Sequence, residues 1–153
     1  MMKYFRVRLI ITFEEKYYSL LEKYISEIKC DNLSIYQDFA RRHFVVDYND
    51  DNLKFDINKS FFEQQPKKKV AYLILDMGKT NILNEWVENA FKVLKYDEHK
   101  ALFDLQCGNS VLSLCLDAET DSDLFDIGLS TNNLNLLSKI NAKLDIDFYH
   151  YLT

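Results

Sequence analysis

Hydrophobic and polar residues alternate at the start of the chain and then change to a helical spacing. In residues 3–13 every second residue from Phe5 to Phe13 is apolar, and Arg6 and Arg8 lie between them, which predicts a half-buried strand. Residues 15–29 instead carry an apolar stripe at helical spacing. The stripe consists of Tyr17, Leu20, Leu21, Tyr24, Ile25 and Ile28.

Two apolar stretches within residues 41–57 flank four short polar residues that favour a turn, so this segment predicts a hairpin. Residues 1–57 are therefore predicted to form a β-α-β-β unit. Residues 58–69 contain the only Pro and a run of three consecutive Lys, and we interpret them as a connector.

The second part of the chain begins with an apolar run at 70–77, as expected of a strand covered on both faces. A helix follows Gly78, with Thr80 or Asn81 as its predicted cap. Residues 101–107 and 110–118 flank Gly108-Asn109, a turn signal that predicts a second hairpin. The helix that follows Gly78 is predicted to bury one face, which consists of Leu83, Trp86, Val87, Ala90, Phe91 and Leu94.

Residues 127–151 carry signals for a helix followed by a strand. Ser130 is suited to cap the helix, because its hydroxyl can accept from a first-turn amide. The buried side of that helix is predicted to hold Leu134, Leu137 and Ile140. From residue 144 onwards apolar and polar residues alternate as in a strand.

The order β-α-β-β-α-β over residues 70–151 is that of a ferredoxin-like unit, with two helices on one face of a four-stranded antiparallel sheet. We therefore predict an α/β (α+β) fold. Residues 1–153 form a single domain in two halves, in which the N-terminal half extends or packs on the ferredoxin-like half.

The predicted hairpin gives the sheet one apolar and one polar face. Its register pairs Cys107 with Ser110 and Cys115 with Leu102, so the two thiols lie on opposite faces and no disulfide joins them. The polar face is predicted to hold Asp104, Gln106, Ser113, Cys115, Asp145, Asp147 and Tyr149.

The chain of 153 residues is acidic and rich in aromatic residues. The excess of 24 acidic over 19 basic residues suits attraction to a cationic partner and argues against binding a nucleic-acid backbone. Three cysteines without a C-x-x-C indicate free thiols in a reducing compartment. Because neither a signal peptide nor a membrane span is evident, we expect a cytoplasmic protein.

Motifs for metal binding and catalysis are incomplete. A calcium-loop spacing starts at Asp47, but Asn52 stands where the loop needs Gly and Asn58 where it needs Glu. None of the histidines, at positions 43, 99 and 150, has a second ligand at metal spacing. Nucleophile elbows and glycine-rich phosphate loops are missing. We predict no catalytic residue, no metal and no cofactor.

Five acidic residues without a base among them begin at the end of the predicted hairpin and continue after it: Asp117, Glu119, Asp121, Asp123 and Asp126. One interpretation is a solvated loop, since carboxylates this dense repel one another. The functional interpretation is a docking surface for a basic protein.

The closing segment also resembles a known bacterial family. Its pattern is glycine, a hydrophobic residue, leucine-serine, a leucine-rich helix, and a strand that ends in alternating acidic and hydrophobic residues before tyrosine. The matching residues are Gly128, Leu129, Ser130, Leu134, Leu137, Leu144, Asp145, Ile146, Asp147, Phe148 and Tyr149. In these residues the chain resembles the domain of unknown function 4279.

The resemblance covers about half of the chain, from Val70 onwards. Thr131 stands where the family usually has Pro, and the Pro-Thr pair and Lys-Gly of the family's N-terminal half are missing. The resemblance implies the α/β architecture and no particular activity.

These features favour a non-catalytic binding protein, most concretely a bacterial immunity protein that neutralises a basic, nuclease-type toxin through an acidic surface. The predicted contacts are Asp104, Asp117, Glu119, Asp121, Asp123, Asp126, Asp145, Asp147 and Tyr149. One alternative is a ligand-binding or enzymatic site on the sheet face of Asp104, Asp145 and Asp147. Another is a structural or regulatory interaction domain.

Overall fold

A computed structural model describes residues 5–39, 69–118 and 128–150. The described elements are β1 (Phe5–Glu14), α1 (Tyr18–Ile28), β2 (Leu33–Phe39), β3 (Lys69–Thr80), α2 (Leu83–Val93), α3 (Lys100–Phe103), β4 (Val111–Ala118), α4 (Thr131–Ser138) and β5 (Lys143–His150). Short 3₁₀ turns precede α1 and α3. The predicted α+β class is confirmed at this level, whereas the predicted hairpin at 41–57 and residues 58–68 of the connector lie outside the described residues.

The described strands form one sheet in the order β2-β3-β1-β4-β5. Strand β1 lies at the centre and pairs antiparallel with both β3 and β4. Its alternation explains this position: the apolar residues from Phe5 to Phe13 are all buried on one side of the strand. Strands from both sides of the predicted connector therefore share one sheet.

The predicted hairpin between residues 101–107 and 110–118 is wrong. Residues 100–103 form α3, and only Gln106 makes an isolated bridge, to Phe13 at the end of β1. The two neighbours of β4 are instead β1, antiparallel, and β5, parallel. The described sheet is thus not the predicted four-stranded antiparallel arrangement, because the longer apolar strand β1 occupies the side of β4 that the hairpin needed.

The register deduced from that hairpin is wrong as well. The amide of Cys107 donates to the carbonyl oxygen of Thr12 at 2.8 Å, so Cys107 lies beside β1 and not opposite Ser110. Cys115 pairs in register with Arg6 of β1. None of the three cysteines, all of them in the described residues, forms a disulfide.

One face of the sheet packs against the helices to form the main core. Strands β1, β3 and β4 contribute alternate side chains such as Leu9, Leu73 and Leu112, which meet buried residues from all four helices. The predicted buried stripe of α2 is confirmed, with Trp86 and five further apolar residues inside. Burial of this apolar area supplies the main stabilisation of the fold.

The N-terminal caps and the buried faces of the helices agree only in part with those predicted from the sequence. Ser130 caps α4 as predicted, and its hydroxyl accepts from the amide of Asn133 at 3.2 Å. Helix α2 has Ile82 at its cap position, and the Thr80 hydroxyl instead accepts from the amide of Ile82. On α4, Leu134 is 51% exposed, and Asn133 takes the buried position beside Leu137 and Ile140.

Candidate partner-binding surface

The face of the sheet opposite the helices carries charges of both signs at one end. Because Val7 and Leu9 of β1 are buried on the helical side, Arg6 and Arg8, which alternate with them, belong to this face. Arg8 of β1 is in register with Asp76 of β3 on one side and with Ser113 of β4 on the other. Ser113 is in turn paired with Asp145 of β5. The strand alternation indicated the polar side of β1, but it did not indicate that this side would face the same way as the acidic residues of β5.

Asp76 is the best-anchored charge on this face. Arg6 donates to its carboxylate at 2.6 Å, and the amide of Gly78 donates at 3.0 Å. Gly78 has φ +81°, a left-handed conformation that glycine adopts without strain, and it lies in a bulge of β3. Partial burial opposes ionisation of Asp76, but these hydrogen bonds and the charges of Arg6 and Arg8 outweigh it and lower the pKa of the carboxyl group.

Asp145 and Asp147 differ from Asp76 in having no partner. Both are exposed and lie two positions apart on β5, about 7 Å along the strand. Within the described part of the chain neither side chain takes part in a hydrogen bond or an ion pair. Ile146 between them packs against the core, so the predicted orientation of this strand is confirmed.

The arginines lie near this pair without neutralising it. Strands β1 and β5 are separated by β4, which puts their backbones about 10 Å apart. Among the described residues no ion pair joins Arg6 or Arg8 to either aspartate. The carboxylates of Asp145 and Asp147 therefore form a local negative site at the outer strand, and the exposed Lys143 lies two positions before Asp145 on the same side of β5.

Asp104 does not belong to this face, so its predicted position is wrong. It is the residue that ends α3, and it is exposed on the helical side of the molecule. Together with Asp97 it adds to the effect of burial, which raises the pKa of the nearby Tyr96. The predicted enzymatic site of Asp104, Asp145 and Asp147 on one sheet face is therefore not assembled.

The remaining predicted contacts lie at or beyond the limits of the described residues. Asp117 and Tyr149 are opposite one another in the register of β4 and β5, two positions beyond the pair formed by Cys115 and Asp147. Glu119, Asp121, Asp123 and Asp126 lie outside the described residues. The sequence stretch that contains them joins β4 to α4.

The opposite end of the same face is apolar. Val70, Tyr72 and Val111 form a second buried cluster, with Ile10 and Ile74 packed against it. The ring of Tyr36 on β2 stacks on Tyr72 with 5.7 Å between ring centroids. Charged and apolar residues are thus segregated along the strands, and the unpaired carboxylates lie away from the apolar cluster.

A cleft of about 570 Å³ opens on the helical side between the end of α2, the following 3₁₀ turn and α4. Its apolar lining comes from Phe91, Tyr96 and Leu136, and its charged lining comprises three acidic and two basic residues. Because the rim carries both signs, it favours neither an anion nor a cation. Among the residues that the structure describes, no group of three potential metal ligands occurs.

Comparisons with known proteins give no match to this chain, whether with family models, with curated proteins or with solved structures. None of the helices in the described ranges combines the length and the apolar character needed to cross a membrane.

Proposed function

We propose that this chain is a non-catalytic binding protein of the bacterial cytoplasm, an immunity protein that neutralises a basic, nuclease-type toxin, and that it belongs to the family of the domain of unknown function 4279. The observation that carries the proposal is the pair of exposed carboxylates of Asp145 and Asp147, which have no partner among the described residues. Carboxylates without an ion pair are available to a partner, whereas Asp76 is engaged by Arg6.

In this proposal the partner is basic because a nuclease binds a negatively charged substrate. A nuclease must hold phosphate, so its substrate site carries Lys and Arg. Carboxylates presented by an immunity protein compete for those side chains, and their long-range attraction accelerates association. Asp117 and the acidic residues 119–126 lie close in sequence to the end of β4, and in this proposal they extend the negative site.

The test is affinity capture from a lysate of the source bacterium with the full chain as bait. The matched bait carries Asp145→Asn and Asp147→Asn, which removes both charges while retaining side-chain size. We expect a basic protein that is retained by the native chain and lost from the substituted one. The captured protein should be toxic when produced alone and harmless when produced together with this chain.

Two results would contradict the proposal. The substituted bait could capture the same proteins as the native chain, or the native chain could retain only chaperones. A partner that is neither basic nor toxic would instead indicate a structural or regulatory interaction domain. An association rate that falls steeply with salt would add independent support, because surface attraction is screened.

A further inference from the structure

Strand β5 is the outermost of the described strands on its side of the sheet. Its register with β4 is parallel and runs from Lys143 to His150. In such a ladder the backbone N–H and C=O of one residue point to the same side, and successive residues alternate. The outer side of β5 therefore carries a row of backbone groups from every second residue.

The printed hydrogen bonds determine which residues these are. The amide of Lys143 donates to the carbonyl oxygen of Ser110 at 2.7 Å, so Lys143 faces the β4 side. By alternation Asp145 and Asp147 also direct their backbones towards β4, whereas Leu144 and Ile146 direct theirs to the outer side. No strand in the described ranges lies there, so the amides and carbonyls of Leu144 and Ile146 form an edge suited to pairing with another strand.

The side chains at this edge specify what kind of strand would fit. Leu144 is 47% exposed, a large apolar side chain left partly uncovered next to the edge. On the opposite face Asp145 and Asp147 present their unpaired carboxylates. A residue directly across from either one on an added strand would have its Cβ about 5 Å from that of the aspartate, within reach of a Lys or Arg side chain.

The other outer strand fits this role less well. On β2, Asp38 accepts a hydrogen bond from the Tyr36 hydroxyl at 2.6 Å, and the Tyr36 ring is stacked on Tyr72. The side chains of Tyr36 and Asp38 are thus engaged within the sheet. Among the described strands, β5 combines an outward backbone edge with two carboxylates that have no ion pair, and its exposed Lys143 lies two positions before Asp145.

We propose that the partner binds by strand addition: an extended segment in which Lys or Arg alternates with apolar residues pairs with the outer edge of β5. The basic residues lie opposite Asp145 and Asp147, and the apolar residues that alternate with them lie on the other face, beside Leu144 and Ile146. Backbone hydrogen bonds supply affinity in this mode, and the alternating side chains supply specificity. This inference rests on the proposed function and specifies how the basic partner is held.

The test uses the full chain and three synthetic peptides of equal length. One alternates Lys with Val or Thr, the second contains the same residues with all Lys grouped at one end, and the third has Glu in place of each Lys. We expect only the alternating Lys peptide to slow hydrogen exchange at the amides of Leu144 and Ile146, by about tenfold near saturation. Exchange in α1, on the opposite face, should not change.

Two variants separate the backbone contribution from the charges. Asp145→Asn with Asp147→Asn should weaken the alternating peptide by about fivefold, since exposed ion pairs are individually weak. Leu144→Pro removes an outward amide without touching the β4 ladder, and proline is tolerated at such edge positions. It should weaken binding by about tenfold relative to Leu144→Thr, which keeps the amide.

The grouped peptide distinguishes failure of strand addition from failure of the proposed function. If it binds as tightly as the alternating peptide, and the amides of Leu144 and Ile146 remain unprotected, strand addition is wrong while a charge-based partner stands. Absence of binding by the alternating peptide also overturns strand addition, and the captured toxin remains the test of the function. If Leu144→Pro fails to fold, amide exchange in the native chain decides.

Discussion

The hydroxyl of Tyr24 satisfies a backbone group at the end of α2. It donates to the carbonyl oxygen of Leu94 at 2.7 Å in a buried environment. Burial raises the pKa of this hydroxyl, and the nearby Cys30 adds to the effect, so it stays protonated and remains a donor. The ring also packs edge-on against Phe103 and His99. A side chain of α1 thus donates a hydrogen bond to a carbonyl oxygen at the end of α2 and also packs in the core.

We expect Tyr24→Phe to lower the free energy of unfolding by about 1–2 kcal/mol, because the Leu94 carbonyl is left buried without a donor while the ring stays in place. Urea unfolding followed by circular dichroism measures this change. Tyr36→Phe is the control, since it removes an exposed hydroxyl whose partner, Asp38, can turn to water. Equal losses in the two variants would show that the buried hydrogen bond has no special weight.

Asp76 makes stability depend on pH in a predictable direction. Its pKa is lower in the folded chain than in the unfolded one, so its contribution is complete above the unfolded value of about 4. That contribution is lost as the pH falls through the lower folded value. Asp76→Asn should therefore destabilise the protein at pH 7 and have a smaller effect near pH 3.

The measurement is the urea midpoint of both proteins across this pH range. Arg6→Gln removes the donor to Asp76 and should reduce the pH dependence in the same sense. Introduced into the Asp76→Asn protein, it should change the pH dependence little further. A gap between the native chain and Asp76→Asn that stays constant down to pH 3 would exclude this role of the carboxylate.

At the level of secondary-structure elements, long periodic segments were predictable and short apolar runs were not. The ten residues of β1 alternate only at strand spacing, and the apolar stripe of α2 fits only helical spacing. Both elements are confirmed as predicted. Residues 101–107 alternate as well as a strand does, yet they also place Leu102 and Phe103 together on a helical turn. A run this short does not distinguish the two, and the pairing of β1 with β4 decided the outcome.

Strand β2 was not predicted, although residues 33–39 form a regular ladder with β3. Its sequence places Leu33 and Ile35 on the core side but then continues with polar residues, so the alternating signal is short. Pairing with the apolar strand β3 stabilises it as a strand. Tertiary context of this kind is not visible in a local pattern.

Helices α2 and α4 are joined by a polar contact that the hydrophobic pattern did not indicate. The side-chain amide of Asn133, which is fully buried, donates to Asn84 at the carbonyl oxygen (3.1 Å) and the side-chain oxygen (2.8 Å). The same Asn84 side chain accepts from the amide of Ser130 at 2.9 Å. Asn84 therefore fixes the start of α4 against the first turn of α2.

Asn133→Ala should destabilise the protein by about 1–2 kcal/mol relative to Asn132→Ala, an exposed neighbour on the same helix in which the gain in helix propensity is equal. Because Asn84 and Asn133 act together, the double substitution with Asn84→Ala should cost less than the sum of the single ones. Chemical unfolding of the four proteins measures this coupling. Strictly additive losses would mean that the two side chains contribute independently.

For the molecule as a whole, the sequence indicated which face of a strand is buried better than it indicated which strands are neighbours in the sheet. The orientation of Asp145 and Asp147 followed from strand alternation and is confirmed. Their relation to Arg6 and Arg8 depended on which strands are neighbours, a long-range choice that local spacing does not contain. The erroneous place of Asp104 came from the same source, since it depended on a hairpin displaced by β1.

The central position of β1 predicts how the chain responds to being divided. Residues 70–151 were expected to form a ferredoxin-like unit, but in the described sheet β1 lies between β3 and β4. Without it, core residues such as Leu75 and Leu114 lose the strand between them.

We expect a fragment of residues 70–153 to show no cooperative thermal unfolding and poor dispersion in its NMR spectrum. When it is mixed with residues 1–39, which restore β1, α1 and β2, we expect cooperative unfolding and a dispersed spectrum. The same mixture with Val7→Asp in the added segment is the control, because it would bury a charge at a fully enclosed position. Cooperative unfolding of the isolated fragment would show instead that its strands pair without β1.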